Sequence, residues 1–488
     1  MKTYAKYILI FIAGIIFTSC SENWLDVNTD PNKPSDVTPE LVLPAAEISL
    51  VSQITVRYNI AGGMWAQFWT QNPTSNQYKQ FDAYDINATT LDAEWMELYS
   101  GTLKELQQIK KVSKENQEWR MYLIAAALQA YTFQYLADLY DKIPYTEALK
   151  ADEGIIAPKY DDASVVYDSI IQDLDFALSK DLSKFTSPVN GDFIFNGNAQ
   201  MWVKFANTLK LRIYLRQWKV RSAVAQAGIQ KLFNENAAFL TEDAKIDVFQ
   251  DEKGKGNPLY ESDRRELNTK QNIRASQTFI SFLTSANDTD ERIGYYFEKG
   301  TSGQYLGNPQ GDFNKNITAD EANKISLARI LATDPAYLFS AAESYFLQAE
   351  AKLRLNYSIA EVKDLYDQGV LAAFARFGLN GSRYIQTGGK YEFNNTEPLK
   401  SIITQKWAAL AGINGMEAYI EHLRTGIPKR SSVPVTDGSY IPGEFTHPIQ
   451  SVLPVGQYPR RLIFPDSERK SNKNTPAEVK VTVPTWWQ

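Results

Sequence analysis

The stretch from Arg120 to Tyr140 narrows the possible folds more than any other segment. Its apolar residues Met121, Ile124, Ala125, Leu128, Tyr131, Tyr135 and Leu139 recur at the i, i+3, i+4, i+7 spacing of a helical face. Ala126, Ala127, Ala130 and Ala137 are small enough to let a second helix approach closely. Pro144 cannot continue a helix and closes the segment. The same spacing predicts helices over 163–178, 199–218, 337–355, 359–377 and 399–424. The pair 337–355 and 359–377, joined by Asn356-Tyr357-Ser358, has the form of a helical hairpin close to the tetratricopeptide unit of about 34 residues. Its second helix sets small Gly369, Ala372 and Ala373 beside bulky Val370, Phe374 and Phe377. No clean repeat runs through the whole chain, so the expected class is mainly α, built on degenerate tetratricopeptide-type hairpins.

Such a fold has to be held by its core. The chain of 488 residues has one cysteine, Cys20, and therefore no disulfide framework. Before Cys20 come Lys2 and Lys6, an apolar run from Tyr7 to Phe17, and Thr18-Ser19. That is the order of a secretory signal: basic region, short apolar region, small-residue cleavage site. The run is too short to span a bilayer, which takes about 20 apolar residues. With Cys20 in place, residues 1–19 read as a bacterial lipoprotein signal and Cys20 as the acylated first residue, although Phe17 stands where Leu is usual. The bland alternative is an ordinary signal with an incidental cysteine. Several acyl chains anchor a protein stably where one does not. Residues 20–45, rich in Pro, Asn and Asp, are expected to form a tether, and 46–488 the domain.

Charge excludes one class of partner. With 51 basic and 57 acidic residues the formal charge is −6, and no basic block offers the footprint that nucleic acid requires. Chemistry-bearing motifs are equally sparse. The two histidines, His422 and His447, form no cluster with a cysteine for zinc, and neither lies by a nucleophile elbow. Gly388-Gly389-Lys390 lacks the phosphate-loop spacing. Asp26, Asn28, Asp30 and Asn32 alternate like the start of a calcium loop, but Pro31 and Val37 fall where that loop needs Gly and Glu. A turn-rich tether explains them better, and neither metal nor cofactor is expected. A carboxylate pair for glycoside hydrolysis stays open, because its separation is spatial.

Several segments, taken in order, carry a family resemblance. They are Trp24 to Pro34, Trp95 to Tyr99, Tyr135 to Leu149, Asn207 to Arg216, Asp290 to Phe297, Gly303 to Gly311, Ala342 to Glu350, Gln405-Lys406-Trp407 with Gly415 to Pro428, and Tyr458 to Leu462. Together the chain resembles the SusD/RagB family of outer-membrane nutrient-binding lipoproteins, in its SusD-like branch. Asp290-Glu291-Arg292 departs from the family's usual Asp-Pro-Arg. The resemblance implies tetratricopeptide-like hairpins carrying a loop-rich ligand-binding lobe, a SusC-type TonB-dependent barrel as partner, and a surface lid that traps oligosaccharide or peptide. It implies no catalysis.

Loop-rich insertions fall at about 68–90, 250–316, 378–398 and 426–488, the last with room for a short strand at Val479–Val483. Sugar faces stack on aromatic rings while amides and charged groups orient the hydroxyls. Trp69, Tyr78, Phe81 and Tyr84, interleaved with Gln71, Asn72, Asn76 and Asp82, have that composition. The region of Tyr295, Tyr296 and Tyr305, flanked by Arg292 and Asn308, is the second candidate. The competing reading puts these rings in small cores beneath the loops. Trp95 and Trp407 are expected to be structural, and Arg460-Arg461 to pin the C-terminal loop. Trp486-Trp487 reads either as an exposed patch or as a dock for the C-terminus. Expected function is a glycan-binding lid; an oligopeptide-binding lid and a lipid-anchored two-carboxylate hydrolase are the alternatives.

Overall fold

The longer helices are α1 Pro39–Thr55, α2 Arg57–Trp65, α3 Lys104–Glu115, α4 Trp119–Tyr140, α5 Ala163–Leu178, α6 Ala199–Arg216, α7 Ser222–Asn234, α8 Ala341–Arg354, α9 Ile359–Ala375, α10 Pro398–Leu410 and α11 Gly415–Thr425. The computed structural model that places them describes residues 38–183, 189–269, 271–315 and 317–488. Cys20, the 1–19 signal, the Asp26–Asn32 run and the Trp24–Pro34 motif lie outside the described residues. Helix α1 begins at Pro39, inside the expected 20–45 tether, and the folded unit runs Pro39–Gln488.

Helix α4 is buried at every position from Met121 to Tyr140, not along one stripe. A helix apolar on all sides belongs in the interior. It is flanked by α3, α5 and α6, which its alanines let approach. The hairpin forms as α8 and α9. Ser358 and Glu361 make a reciprocal capping box at the start of α9, which satisfies two otherwise orphaned backbone donors. A Cβ on Gly369 would lie 2.6 Å from the Phe346 ring, so this glycine sets the closeness of the two helices.

Three expectations change. Tyr337 does not open a helix: Ala336–Phe339 is a strand paired antiparallel with Ala244–Ile246, and α8 starts only after Ser340, whose side chain accepts from Glu343 N. The stretch 399–424 is two helices. Gly412 takes a positive φ of 74° and Asn414 caps α11 by accepting from Glu417 N, so the chain turns between them. Val479–Val483 forms no strand; only single bonds such as Arg460 N to Val481 O (2.7 Å) tie it down. The two neighbouring tryptophans dock the C-terminus: Trp487 is buried and its Nε1 donates to Asp138 O at 3.2 Å. Arg461 pins the same segment by donating to Tyr140 O.

Four short strands, β1 Trp69–Gln71, β2 Ile273–Ala275, β3 Phe297–Glu298 and β4 Leu327–Ala328, form an antiparallel sheet in the order β1-β2-β4-β3. Trp69 pairs with Ala275, so the sheet joins the 68–90 and 250–316 insertions through backbone bonds.

An ionic cluster lies at the centre of the helices. Residues four or seven apart share one helical face, and five helices turn such faces inward. Helix α6 contributes Arg212 and Arg216, α4 Gln134 and Asp138, α8 Glu343 and Glu350, α10 Lys406, and α11 Glu417 and Glu421 with Arg424. Arg216 reaches Asp138 at 3.1 Å, Glu417 at 2.6 Å and also Glu421. Lys406 and Arg424 lie 3.1 and 2.7 Å from Glu421, and Arg424 lies 2.5 Å from Glu350. Burial raises the Glu421 carboxyl, but Arg424, Lys406 and Arg216 outweigh it and hold it well below its usual range. Glu343 has weaker help, with Arg212 at 3.5 Å, and burial pushes it up to about 7. Asp138 rises to about 6 for the same reason, partly offset by Arg216.

Two predictions follow from the cluster. Replacing Arg216 with Leu leaves buried carboxylates unopposed and should remove about 3–5 kcal/mol in urea denaturation; an unshifted midpoint would contradict this. Because the folded pKa of Glu343 is raised above its ordinary 4.5, its contribution is full below 4.5 and lost as pH rises through about 7. Glu343→Gln should therefore flatten the decline of melting temperature across that window.

Candidate functional site

Seven separate stretches of chain meet at a cleft of about 340 Å3. Strand β1 brings Trp69, and a short helix Ile293–Tyr296 brings Tyr295 and Tyr296. Arg329 follows β4, Tyr337 lies in the strand that precedes α8, and Arg376 and Phe377 come directly after α9. Gly412, in the break between α10 and α11, closes one wall beside Tyr296. The floor is Phe68, Phe279 and Phe297, all buried. A smaller space of about 40 Å3 shares Trp69, Arg329, Asp334 and Tyr337 and continues past Asn59 and Asn257.

The rings are mutually fixed. Tyr295, 36% exposed, stacks on Phe377 with centroids 4.8 Å apart and planes 24° apart. Tyr296 meets Phe377 edge-on at 5.5 Å and donates its hydroxyl to Ala408 O at 3.0 Å. Arg329 N donates to Tyr296 O at 2.9 Å, which ties the end of β4 to the tyrosines. Behind Trp69, a Cβ on Gly63 would come 2.5 Å from the indole, so only glycine lets the ring sit there.

Charge in the cleft is uneven. Lys245, Arg329 and Arg376 line it against a single carboxylate, Asp334. Arg376 donates to Ala409 O at 3.0 Å and lies 4.4 Å over the Phe377 ring, while its Nε is buried without a partner. Arg329 lies 5.8 Å over the Tyr295 ring. Burial pushes Asp334 up, partly offset by the Leu331 N–H and by Arg329. Tyr337 is pushed up to about 12 by burial, less than it would be without Arg376.

Of the residues singled out in the sequence, Trp69, Tyr295 and Tyr296 line this cleft, Trp69 and Tyr296 as buried parts of its wall and Tyr295 as its exposed ring. Phe81 is buried in the core under Arg57, and its carbonyl accepts from Trp65 Nε1 at 2.9 Å. Tyr78 is buried and donates to Asp263 Oδ1 at 2.7 Å. Tyr84 is buried against His447. Arg292 is fully buried on Asp290 at 2.6 Å, over the Phe374 ring at 4.2 Å, where it fastens the 290s to the α8–α9 hairpin. Tyr305 is half-buried beneath Lys299. These side chains have protein partners, not open faces. The interleaved polar groups behave likewise. Asp82 accepts from Thr70 Oγ1 (2.7 Å), Gln71 N (3.0 Å), Gly311 N (3.1 Å) and Gln310 Nε2, and burial raises it to about 6. It knots the 68–90 and 303–311 stretches together from inside. Tyr337, Arg329, Arg376 and Phe377 went unrecognised as site residues because each belongs to an ordinary strand or helix end. Both histidines are structural: His422 Nδ1 sits 2.9 Å from Pro428 O, and burial, then Arg430, holds its pKa well below the usual value.

The model of a SusD-like family described as starch-binding and associating with the outer membrane matches residues 31–448. No curated protein matches. A SusD homolog from Bacteroides uniformis is 23% identical over 91% of this chain and 99% of its own, with a TM-score of 0.69. A SusD/RagB family protein from Bacteroides thetaiotaomicron is 21% identical over 93% and 99%, with a TM-score of 0.71. A chitin-binding SusD homolog from Flavobacterium johnsoniae is 22% identical over 91% and 98%, with a TM-score of 0.69. At these identities the solved structures share the fold.

Gly63→Ala should force the Trp69 ring aside. The expected loss is about 1–3 kcal/mol, typical of overpacking, together with a changed tryptophan emission spectrum. A wild-type melt and spectrum would mean that the indole has room to spare.

Proposed function

Since the chain belongs to the SusD-like family, described as starch-binding and associating with the outer membrane, we propose that it binds oligosaccharide in the aromatic cleft. We place it at the cell surface, anchored through Cys20, as the lid of a SusC-type TonB-dependent importer. The observation that carries the binding half is the Tyr295–Phe377 stack at the cleft, beside Trp69 and Tyr337. Flat rings with a few convergent polar groups suit the C–H faces and hydroxyls of a sugar. Family membership and the lipoprotein-type signal before Cys20 support the other half.

A peptide ligand has one observation in its favour. Strand β3, which carries Phe297 at the cleft, is an edge strand and has unpaired backbone groups to offer. At two residues it is too short to hold an extended peptide by itself. Hydrolysis is disfavoured, because a two-carboxylate mechanism needs a second acid and Asp334 is the one carboxylate lining the cleft.

Calorimetry with soluble oligosaccharides and with peptide mixtures tests the ligand class. Glycan binding is expected, and Tyr295→Ala should weaken it by about tenfold, roughly 1.4 kcal/mol, with the melting temperature little changed. Peptide binding without any glycan binding would move the assignment to the second reading. Cys20→Ala should release the protein from the membrane fraction and abolish labelling by radioactive palmitate; continued labelling would rule out Cys20 as the acylated residue.

A further inference from the structure

Most guanidinium groups that this fold removes from water meet a carboxylate. Arg216, Arg264, Arg292 and Arg424 each lie within ion-pair distance of at least one acid. Arg329 and Arg376 are half-buried and have no such partner among the described residues. Arg376 gives one N–H to a backbone carbonyl and keeps Nε buried and unbonded. Arg329 has the face of Tyr295 beneath it. The third cation, Lys245, is spent on exposed Asp247 at 3.1 Å. Asp334 is the one acid on the lining and is drawn toward its neutral form, mainly by burial.

Leaving two guanidinium groups partly desolvated and unpaired is unfavourable, and a bound anion removes that penalty. Arginine also matches a carboxylate in geometry, through two parallel N–H···O bonds. Both groups lie beside the rings on which a sugar would stack, 5.8 Å from Tyr295 and 4.4 Å from Phe377. A sugar ring seated on Tyr295 would therefore carry its substituents toward fixed positive charge.

We propose that the cleft selects acidic oligosaccharides, in which a uronic-type carboxylate on a sugar packed against the exposed side of Tyr295 is held by Arg329 and Arg376. This rests on the glycan-binding reading above.

The test is calorimetry on the intact mature chain with matched pairs of oligomers: galacturonate against galactose, mannuronate against mannose, and hyaluronan fragments against chitin oligomers. At least one acidic oligomer should bind more tightly than every neutral one, and its affinity should fall in high salt as screening requires. Arg376→Gln and Arg329→Gln should each weaken acidic binding by about tenfold or more and leave any neutral binding unchanged, while Tyr295→Ala weakens both. Arg329→Lys, which keeps the charge without the paired donors, should fall between, and melting curves verify that each variant folds. A neutral oligomer that binds as tightly as any acidic one overturns the charge selection and leaves the glycan reading standing. Arginine substitutions without effect in folded protein do the same. Failure of every saccharide in the panel to bind overturns both.

Discussion

Arg216 is the residue on which the helical body depends. Its single guanidinium reaches carboxylates on α4 and α11 while its own backbone belongs to α6. The Trp487 ring that closes the C-terminus lies 5.6 Å from it. A buried ionic network of this kind, taken whole, contributes little net stability over an apolar core, but it tolerates no missing or misplaced member. What it supplies is register. Asp138 and Gln134, Arg212 and Arg216, and Glu417 and Glu421 each sit four apart on their helices, so sliding any helix by one residue would swing a charge into hydrocarbon. Glycines set the spacing where backbones nearly touch: Gly62 and Gly63 of α2 lie against Gly415 and Met416 of α11, with no room for a Cβ.

That rigid body positions the cleft. Arg376 and Phe377 stand where α9 ends, and Gly412 stands where α10 and α11 part, so two helical boundaries form one wall. The small sheet forms the other, since β1 and β3 are its two edges and carry Trp69 and Phe297. Binding groups placed on element ends inherit the precision of the elements, which free loops would not provide.

The two charged regions are opposites in design. In the helical cluster Arg216, Arg424 and Lys406 each lie against acids, and Glu350 and Glu421 are held ionised by the cations around them despite burial. In the cleft the order reverses, with guanidinium groups beside rings and the lone acid pushed toward neutrality. Among the described residues the first arrangement is complete; the second is not.

Local pattern carried the sequence reading a long way. Alanine-rich α4 and the α8–α9 hairpin with its Gly369 express their meaning within a few neighbouring residues. So did the family resemblance, and the residues 31–448 match agrees with it. Short-range periodicity determines helices because the helix is a short-range structure. The site was legible only in part. Tyr295 was visible, with Trp69 and Tyr296, as an aromatic residue in a polar stretch, yet the same composition described Tyr78, Phe81 and Tyr84, which are buried away from the cleft. Whether a ring in a polar loop faces solvent or core depends on which distant segment supplies the partner for the loop's backbone, here Gln310 and Gly311. Tyr337, Arg329, Arg376 and Phe377 acquire their roles from one another across the fold. Sequence alone determined the class and the bodies of α4, α5, α6, α8 and α9; tertiary structure decided which rings stayed open and which arginines, among the described residues, were left without an acid.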